Sequence, residues 1–161
     1  MMGLFARLFA RAEPVLSEAG PRHAQSFAAL HAASFRRGWS EDEFEHLLID
    51  RNVVAHCALR GRAPVGFIVS RIAGGEAEIL SVAVARAQQG RGLARRLLDL
   101  HLRRLAGLGV RAVFLEVDDD NVPARRLYAR NAFREVGRRD GYYPRPAGGA
   151  GAALVLRRDL T

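Results

Sequence analysis

The spacing of apolar residues changes period along the first half of the chain. Residues 21–35 and 39–50 place apolar side chains three and four positions apart, which predicts two helices. The second opens with Ser40 and Glu43, a pair that can form a capping box. Three apolar runs separated by glycine-containing turns then predict strands, the first two paired as a hairpin: residues 53–60, 64–72 and 76–85.

The second half continues to alternate helix and strand. A leucine-striped helix is predicted over about residues 91–107, followed by a strand and by a short helix that begins at Asn121 with Pro123 in its first turn. Two closing strands follow, at residues 133–137 and 152–160. This order predicts an α/β fold, with a mixed central sheet of about six to seven strands flanked by about four helices.

Length and composition fit one globular domain. The chain has 161 residues, of which 49% are hydrophobic and 26% are charged. We expect a single domain over residues 14–161, after an N-terminal extension of residues 1–13. The extension has apolar residues at helical spacing with arginines between them. It is read as a loosely packed segment, a basic amphipathic anchor or the remnant of a transit peptide. No apolar run in the sequence is long enough for a membrane span.

The net charge indicates which binding partners are favoured, and the cysteine content indicates the cellular compartment. The net charge is +8, and all 25 basic residues are arginines. A positive field favours anionic partners such as a phosphorylated cofactor, RNA or an acidic peptide. The single cysteine, Cys57, lies in an apolar run and is predicted to fill the core, and one thiol suits a reducing cytoplasm. The histidines do not have metal-ligand spacing, so no metal is expected.

A glycine-rich turn stands directly before the leucine helix, in the stretch QQGRGLARRLL. Unpaired N–H groups and the positive end of a helix form an anion site, which glycine leaves accessible. A P-loop is excluded because the chain has no lysine. A dinucleotide fingerprint ending at Glu116 is disfavoured, because Arg95 stands in place of the third glycine and hairpin-linked strands precede the turn. A tight turn without a ligand stays open as an alternative.

Two segments together, SVAVARAQQGRGLARRLL and LEVDDDNVPARRLYARNAF, resemble the GCN5-related N-acetyltransferase (GNAT) superfamily. The resemblance implies the fold of that superfamily and acetyl-CoA as co-substrate, with the pyrophosphate held at the turn and the pantetheine along the preceding strand. In this sequence the strand residues are Val82, Ala83 and Val84. The turn residues, which fit the pattern Gln-x-x-Gly-x-Ala, are Gln89, Gly90, Arg91, Gly92, Leu93 and Ala94.

The second segment is similar to the ribosomal-protein-alanine N-acetyltransferases, the RimI group, over about residues 35–145. The matching residues are Glu116, Asn121, Tyr128 and Phe133. The resemblance implies that Glu116 is the general base, Tyr128 the general acid and Asn121 a hydrogen-bond partner of the pantetheine. An otherwise apolar strand would surround the Glu116 carboxylate with nonpolar groups, which suits a proton acceptor near neutral pH. The residues alone leave simpler roles open. Glu116 could be a solvated residue at a strand end, Tyr128 an aromatic ring at the edge of the core, and Asn121 only a helix cap.

Departures from the RimI pattern bear on local geometry and on the substrate. Ala132 replaces the usual glycine before the phenylalanine, and Pro123 replaces an alanine. Residues 146–153 lack the acidic pair that the group often carries there, which leaves the peptide substrate open. Tyr142 and Tyr143 either line the peptide groove or pack at a turn.

The function expected from this resemblance is acetyl-CoA-dependent acetylation of an N-terminal α-amine. The target is expected to be the N-terminal alanine of a ribosomal or other protein, acetylated by direct transfer. No direct nucleic-acid binding is required, and the protein is expected in the cytoplasm. An α-amine has a pKa of about 7.7–8.0 and a lysine side chain about 10.4, so a single carboxylate deprotonates the α-amine more readily. Two alternatives stay open: a small-amine or antibiotic acetyltransferase on the same fold, and a non-catalytic basic module that binds RNA or the ribosome.

Overall fold

The computed structural model describes residues 12–144 and 150–161, and these contain seven strands and four α-helices. The strands are β1 Val15–Glu18, β2 Val53–Arg60, β3 Ala63–Ala73, β4 Glu76–Val84, β5 Ala112–Asp118, β6 Arg134–Pro144 and β7 Ala150–Asp159. The helices are α1 Ala24–Ser34, α2 Glu41–Ile49, α3 Leu93–Gly107 and α4 Val122–Arg130. Short 3-10 turns occupy Pro21–His23 and Arg86–Gln88.

The strands form a mixed sheet in the order β1-β2-β3-β4-β5-β7-β6. β4 and β5 pair in parallel, whereas β1–β2, β5–β7 and β6–β7 are antiparallel. The predicted α/β class and mixed sheet are therefore confirmed. The sequence analysis assigned no strand at β1, because four residues are too few to show a period. It also placed the start of the leucine helix two residues too early, since α3 begins at Leu93.

Two predicted segments lie largely outside the described residues. The structure describes only the end of the expected N-terminal extension, from Ala12 onward, and it does not describe residues 146–149 of the loop before β7. The described residues form two compact units. The first runs up to Val69 and includes Ser81–His101, and the second combines Ser70–Leu80 with Leu102–Thr161. Within the described part of the chain, no helix has the length and apolar character needed to cross a membrane.

An aromatic cluster forms the core of the first unit. The rings of Phe27 and Phe67 stack with their centroids 4.5 Å apart, and Phe44 meets both of them edge-on. Such ring pairs add to the stability gained by burying large apolar side chains. Cys57 is fully buried in the same cluster, as predicted, and burial raises the pKa of its thiol.

His31 fixes the segment between α1 and α2 in the first unit. Its ring stacks on Phe35 and on Trp39, at centroid distances of 4.3 and 4.6 Å. Its Nδ1 accepts the backbone N–H of Trp39 at 3.0 Å. Because this nitrogen accepts, the bond requires it to be unprotonated, and burial lowers the pKa of the ring. The predicted capping box of Ser40 and Glu43 then starts α2.

In the second unit, β7 lies between β5 and β6 and pairs with both. Along β5 the side chains of Val113, Leu115 and Val117 are buried, whereas Phe114 and Glu116 on the other face are partly exposed. This alternation follows from the period of two along a strand. It places Glu116 on the less buried face of the sheet.

Helix α4 ends in a left-handed residue. Ala132 has φ 63°, and the N–H of Phe133 reaches back to the carbonyl of Tyr128 at 3.0 Å. This is the Schellman arrangement, in which glycine usually takes the left-handed position. The glycine that the resemblance implies in place of Ala132 would fit this left-handed position without a Cβ.

Candidate active site

The glycine turn leads into α3 through two left-handed residues. Gly90 has φ 76° and Gly92 has φ 78°, a region that favours glycine. A Cβ built on either residue would meet no atom of the described residues within 4 Å, so within this part of the chain the backbone borders open space. The first helical bond runs from the Arg96 N–H to the Gly92 carbonyl at 3.1 Å. The N–H groups of the first turn therefore lack helical acceptors and can bind an anion such as the pyrophosphate of a cofactor.

Two arginines add positive charge at this turn. Arg91 and Arg95 are exposed and make no ion pair with any residue that the structure describes. Arg96, in contrast, is held by the Glu13 carboxylate at 3.1 Å and by the Pro14 carbonyl at 3.2 Å. The guanidinium groups of Arg91 and Arg95 thus strengthen the positive end of α3. Leu93 and Ala94 complete the turn, and Leu93 is buried.

The side chain of Gln89 braces the turn against the preceding strand. Its Nε2 donates to the carbonyl of Val84 at 3.1 Å, while the N–H of Ala85 donates to the Val65 carbonyl at 2.8 Å. These bonds fix where the chain leaves β4. In this structure the glutamine of the predicted motif therefore shapes the turn through the protein backbone.

The strand before the turn carries the three residues predicted to meet the pantetheine. Ala83 is buried, and Val82 and Val84 are half-buried on the other face of the strand. The parallel pairing of β4 with β5 runs from Glu76–Ala112 to Ile79–Leu115 and includes none of these three residues.

Glu116 is not in the apolar surroundings that the sequence predicted. Its side chain is 23% exposed, and its Oε1 lies 2.7 Å from Nη2 of Arg139, which is on β6. The sequence expectation was wrong on this point, because it considered the neighbours along β5 and not the strands beside it. The guanidinium of Arg139 thus gives this carboxylate a charged polar partner. Arg139 is the site residue that sequence reasoning missed.

Tyr128 and Asn121 lie on α4. The Tyr128 ring is buried and packs against Phe133 at 5.5 Å between centroids, and its hydroxyl has no hydrogen-bond partner among the described residues. Burial raises the pKa of Tyr128 to about 12, so the phenol stays protonated. Asn121 caps the helix, since its Oδ1 accepts the Ala124 N–H at 3.3 Å. The cap confirms the simpler role and leaves the amide N–H groups of Asn121 as donors. Tyr142 and Tyr143 are in β6, but their side chains lie outside what the structure describes.

Comparison with known proteins places these elements in a family. Residues 24–133 match the acetyltransferase (GNAT) family. The chain is 36% identical over 92 residues to the [ribosomal protein bS18]-alanine N-acetyltransferase of Haemophilus influenzae, a match that covers 57% of this chain and 62% of that protein. The chain thus spans about three fifths of that curated relative. The Escherichia coli protein of the same name is 30% identical over 117 residues, which cover 73% of this chain and 78% of that protein.

Solved structures agree with the fold. The ribosomal-protein-S18-alanine N-acetyltransferase from Escherichia coli superposes with a TM-score of 0.85 at 23% identity, over 91% of this chain and 94% of that one. Arabidopsis thaliana NAA60 in complex with acetyl-CoA gives a TM-score of 0.80 at 20% identity, over 90% and 97%. With the family match over residues 24–133, the open glycine turn before α3 and the seven-stranded mixed sheet, the chain belongs to the acetyltransferase (GNAT) family.

Proposed function

We propose that this protein transfers the acetyl group of acetyl-CoA to the N-terminal α-amine of a cytoplasmic protein, with an alanine-initiated ribosomal protein as the preferred class of substrate. The observation that carries the proposal is the open, cationic glycine turn at the start of α3. The names of the bacterial relatives support the substrate class. A protein substrate also needs no nucleic-acid contact by the enzyme.

Acetyl-CoA would be held by backbone groups more than by side chains. The N–H groups at the start of α3, from Gly92 onward, suit the pyrophosphate, with Arg91 and Arg95 adding charge-assisted bonds. The backbone of Val82–Val84 suits the amides of the pantetheine arm. The family resemblance also implies Asn121 as a hydrogen-bond partner of the pantetheine, and its amide N–H groups stay available as donors while its Oδ1 caps α4.

Direct transfer requires a base for the amine and a hydrogen-bond donor for the departing sulfur. Glu116 is the proposed base: its carboxylate accepts a proton as the amine nitrogen attacks the thioester carbonyl. Tyr128 is the proposed donor to the sulfur. A thiol has a pKa near 8.5, so complete proton transfer from a phenol with a pKa of about 12 would cost about 5 kcal/mol. Burial of the ring therefore favours a hydrogen bond from Tyr128 to the thiolate over full protonation.

The test is one alanine-initiated peptide in two forms. The first has a free N-terminus and blocked lysines, and the second has a blocked N-terminus and free lysines. We expect mass spectrometry to find acetyl groups on the first form only, and the Glu116→Gln variant to lower its turnover by about 100-fold or more. Acetylation of the second form alone would contradict the proposed substrate. Wild-type turnover by Glu116→Gln would contradict the proposed base.

A parallel reaction with small amines tests the alternative within the family. The mycothiol acetyltransferase of Parafrankia is 44% identical to this chain over 72 residues, but the match covers only 22% of that protein. A small-amine acceptor with a higher kcat/KM than the peptide would favour this alternative.

A further inference from the structure

Arg139 reaches Glu116 across an intervening strand. On β7, Glu116 pairs with Val155 and Arg139 pairs with Ala153, from opposite sides of that strand. Ala153 and Val155 are two positions apart on β7 and so lie on the same face of the sheet. Their partners, Arg139 and Glu116, therefore also place their side chains on that face. Long side chains bridge such diagonal positions, and here Nη2 and Oε1 meet at 2.7 Å.

The ion pair occupies only one oxygen of the carboxylate. Oε1 of Glu116 is bound by Arg139, and within the described residues the Glu116 side chain has no other ion pair or hydrogen bond. Oε2 is therefore available to a substrate. A glutamate that is 23% exposed would otherwise sample several rotamers, which a base acting on one proton must not do.

We propose that Arg139 is a positioning residue for the acetyl transfer: its guanidinium holds Oε1 of Glu116 so that Oε2 accepts the proton of the substrate amine. The inference rests on the proposed role of Glu116 as the base. No proton leaves Arg139 in this step, because a guanidinium stays charged in proteins. The amine proton passes to Oε2, while the amine nitrogen bonds to the acetyl carbon and the carbon–sulfur bond breaks.

The backbone around Arg139 supports this role. The pairing of β6 with β7 shifts between Glu135 and Gly137 and is regular from Gly137 to Arg139. It shifts again before Tyr143, and Gly141 within this second shift has φ 72°. Two more residues lie on β6 than on β7 across this shift, which is a bulge. Bulges reorient the side chains beside them, so the regular ladder ends at the residue that contacts Glu116.

The next residue along β6 provides a matched control. Arg138 is 50% exposed and Arg139 is 57% exposed, so the two guanidinium groups are similarly hydrated. Arg138 binds Asp140 at 2.7 Å and Asp119 at 3.3 Å, and makes no contact with Glu116. Replacing either arginine removes the same charge from the same strand, and only one replacement frees the carboxylate.

The experiment measures kcat and KM for an alanine-initiated peptide with saturating acetyl-CoA. We expect Arg139→Gln to lower kcat by about tenfold or more with KM for the peptide nearly unchanged, as positioning losses do. Arg138→Gln should stay within about twofold of the wild type, and Arg139→Lys should recover part of the loss. In the background of Glu116→Gln, Arg139→Gln should cause no further loss, because the group it positions is gone.

Three results would overturn the inference. The first is wild-type kcat for Arg139→Gln while Glu116→Gln is inactive. The second is an equal loss for Arg138→Gln, which would indicate a general distortion of β6. The third is an additional loss of similar size in the double variant, which would mean that Arg139 acts independently of Glu116. Full activity of Glu116→Gln would instead refute the proposed role of Glu116 as the base, and failure to acetylate the free N-terminus would refute the proposed function.

Discussion

Acidification should destabilise this protein through the buried pair His56 and His101. The two Nδ1 atoms lie 2.7 Å apart, so one ring donates and the other accepts. A second proton on Nδ1 of the accepting ring would place two N–H groups against each other. Both side chains are buried, and burial, followed by the charge of His56, lowers the pKa of His101 to about 3.

The magnitude follows from linkage between protonation and unfolding. In the unfolded chain His101 titrates at its ordinary pKa of 6.5, so the unfolded state takes up a proton first as the pH falls. The stabilising contribution is complete above pH 6.5 and is lost progressively as the pH falls toward 3. Between about pH 7.5 and about pH 4.5 the free energy of unfolding falls by about 3 kcal/mol, at roughly 1.4 kcal/mol per pKa unit.

Urea unfolding at the two pH values measures this loss for the wild type and for His101→Asn, whose amide can still hydrogen-bond His56. We expect the wild type to lose about 3 kcal/mol more of its unfolding free energy than the variant. Burial also lowers the pKa values of His23 and His31, but their contributions cancel in the comparison. Exposed His46 provides the control, and His46→Gln should keep the wild-type pH dependence. An equal loss in His101→Asn and the wild type would refute the reasoning.

Three further predictions concern single substitutions. Gly92→Val should abolish the acetyl-CoA binding that calorimetry detects. Gly109→Val is the control, because Gly109 is also left-handed, with φ 85°, and this variant should still bind. Unchanged affinity in Gly92→Val would contradict the assignment of the pyrophosphate to this turn. Tyr128→Phe should lower kcat by about 10- to 100-fold without loss of thermal stability, because the hydroxyl has no partner among the described residues; normal turnover would remove it from the mechanism. Ala132→Gly should raise the unfolding free energy by about 0.5–1 kcal/mol, while Ala129→Gly within α4 should lower it by about 1 kcal/mol. Destabilisation by Ala132→Gly in denaturant unfolding would mean that the left-handed alanine carries no strain.

Local patterns predicted those parts of the fold whose determinants are contiguous in sequence. The capping box of Ser40 and Glu43 formed as expected, because three residues of spacing fix both bonds. Asn121 capped α4 for the same reason. The glycine turn also lies within one short stretch, so its left-handed residues, Gly90 and Gly92, could be located without knowing the sheet. β1 was missed because its four residues are defined by their pairing with β2 and not by a period of their own.

Contacts between residues far apart in sequence were less predictable, both outside the candidate site and within it. Outside the site, His56 and His101 are 45 residues apart in sequence, and no local period relates them. Glu116 and Arg139 are aligned by the register of β7, the last strand of the chain, which pairs with β5 on one side and β6 on the other. A sequence pattern assigns each residue to one face of its own strand. It does not show which charged side chain a strand two places away in the sheet brings to the same face. The surroundings of Glu116 were therefore predicted incorrectly, because Arg139 lies on β6.

The presence of that charge bears on the choice of substrate. A guanidinium beside the proposed base repels an incoming ammonium group, so the amine is favoured when it arrives neutral. Near pH 7 the neutral form costs about 1 kcal/mol for an α-amine with a pKa of about 7.7–8.0, but nearly 5 kcal/mol for a lysine with a pKa of about 10.4. The charge of Arg139 acts on both ammonium forms alike, so it leaves this difference of more than 3 kcal/mol unchanged. The proposed preference for chain termini therefore rests on the lower pKa of the α-amine, and the ion pair does not work against it.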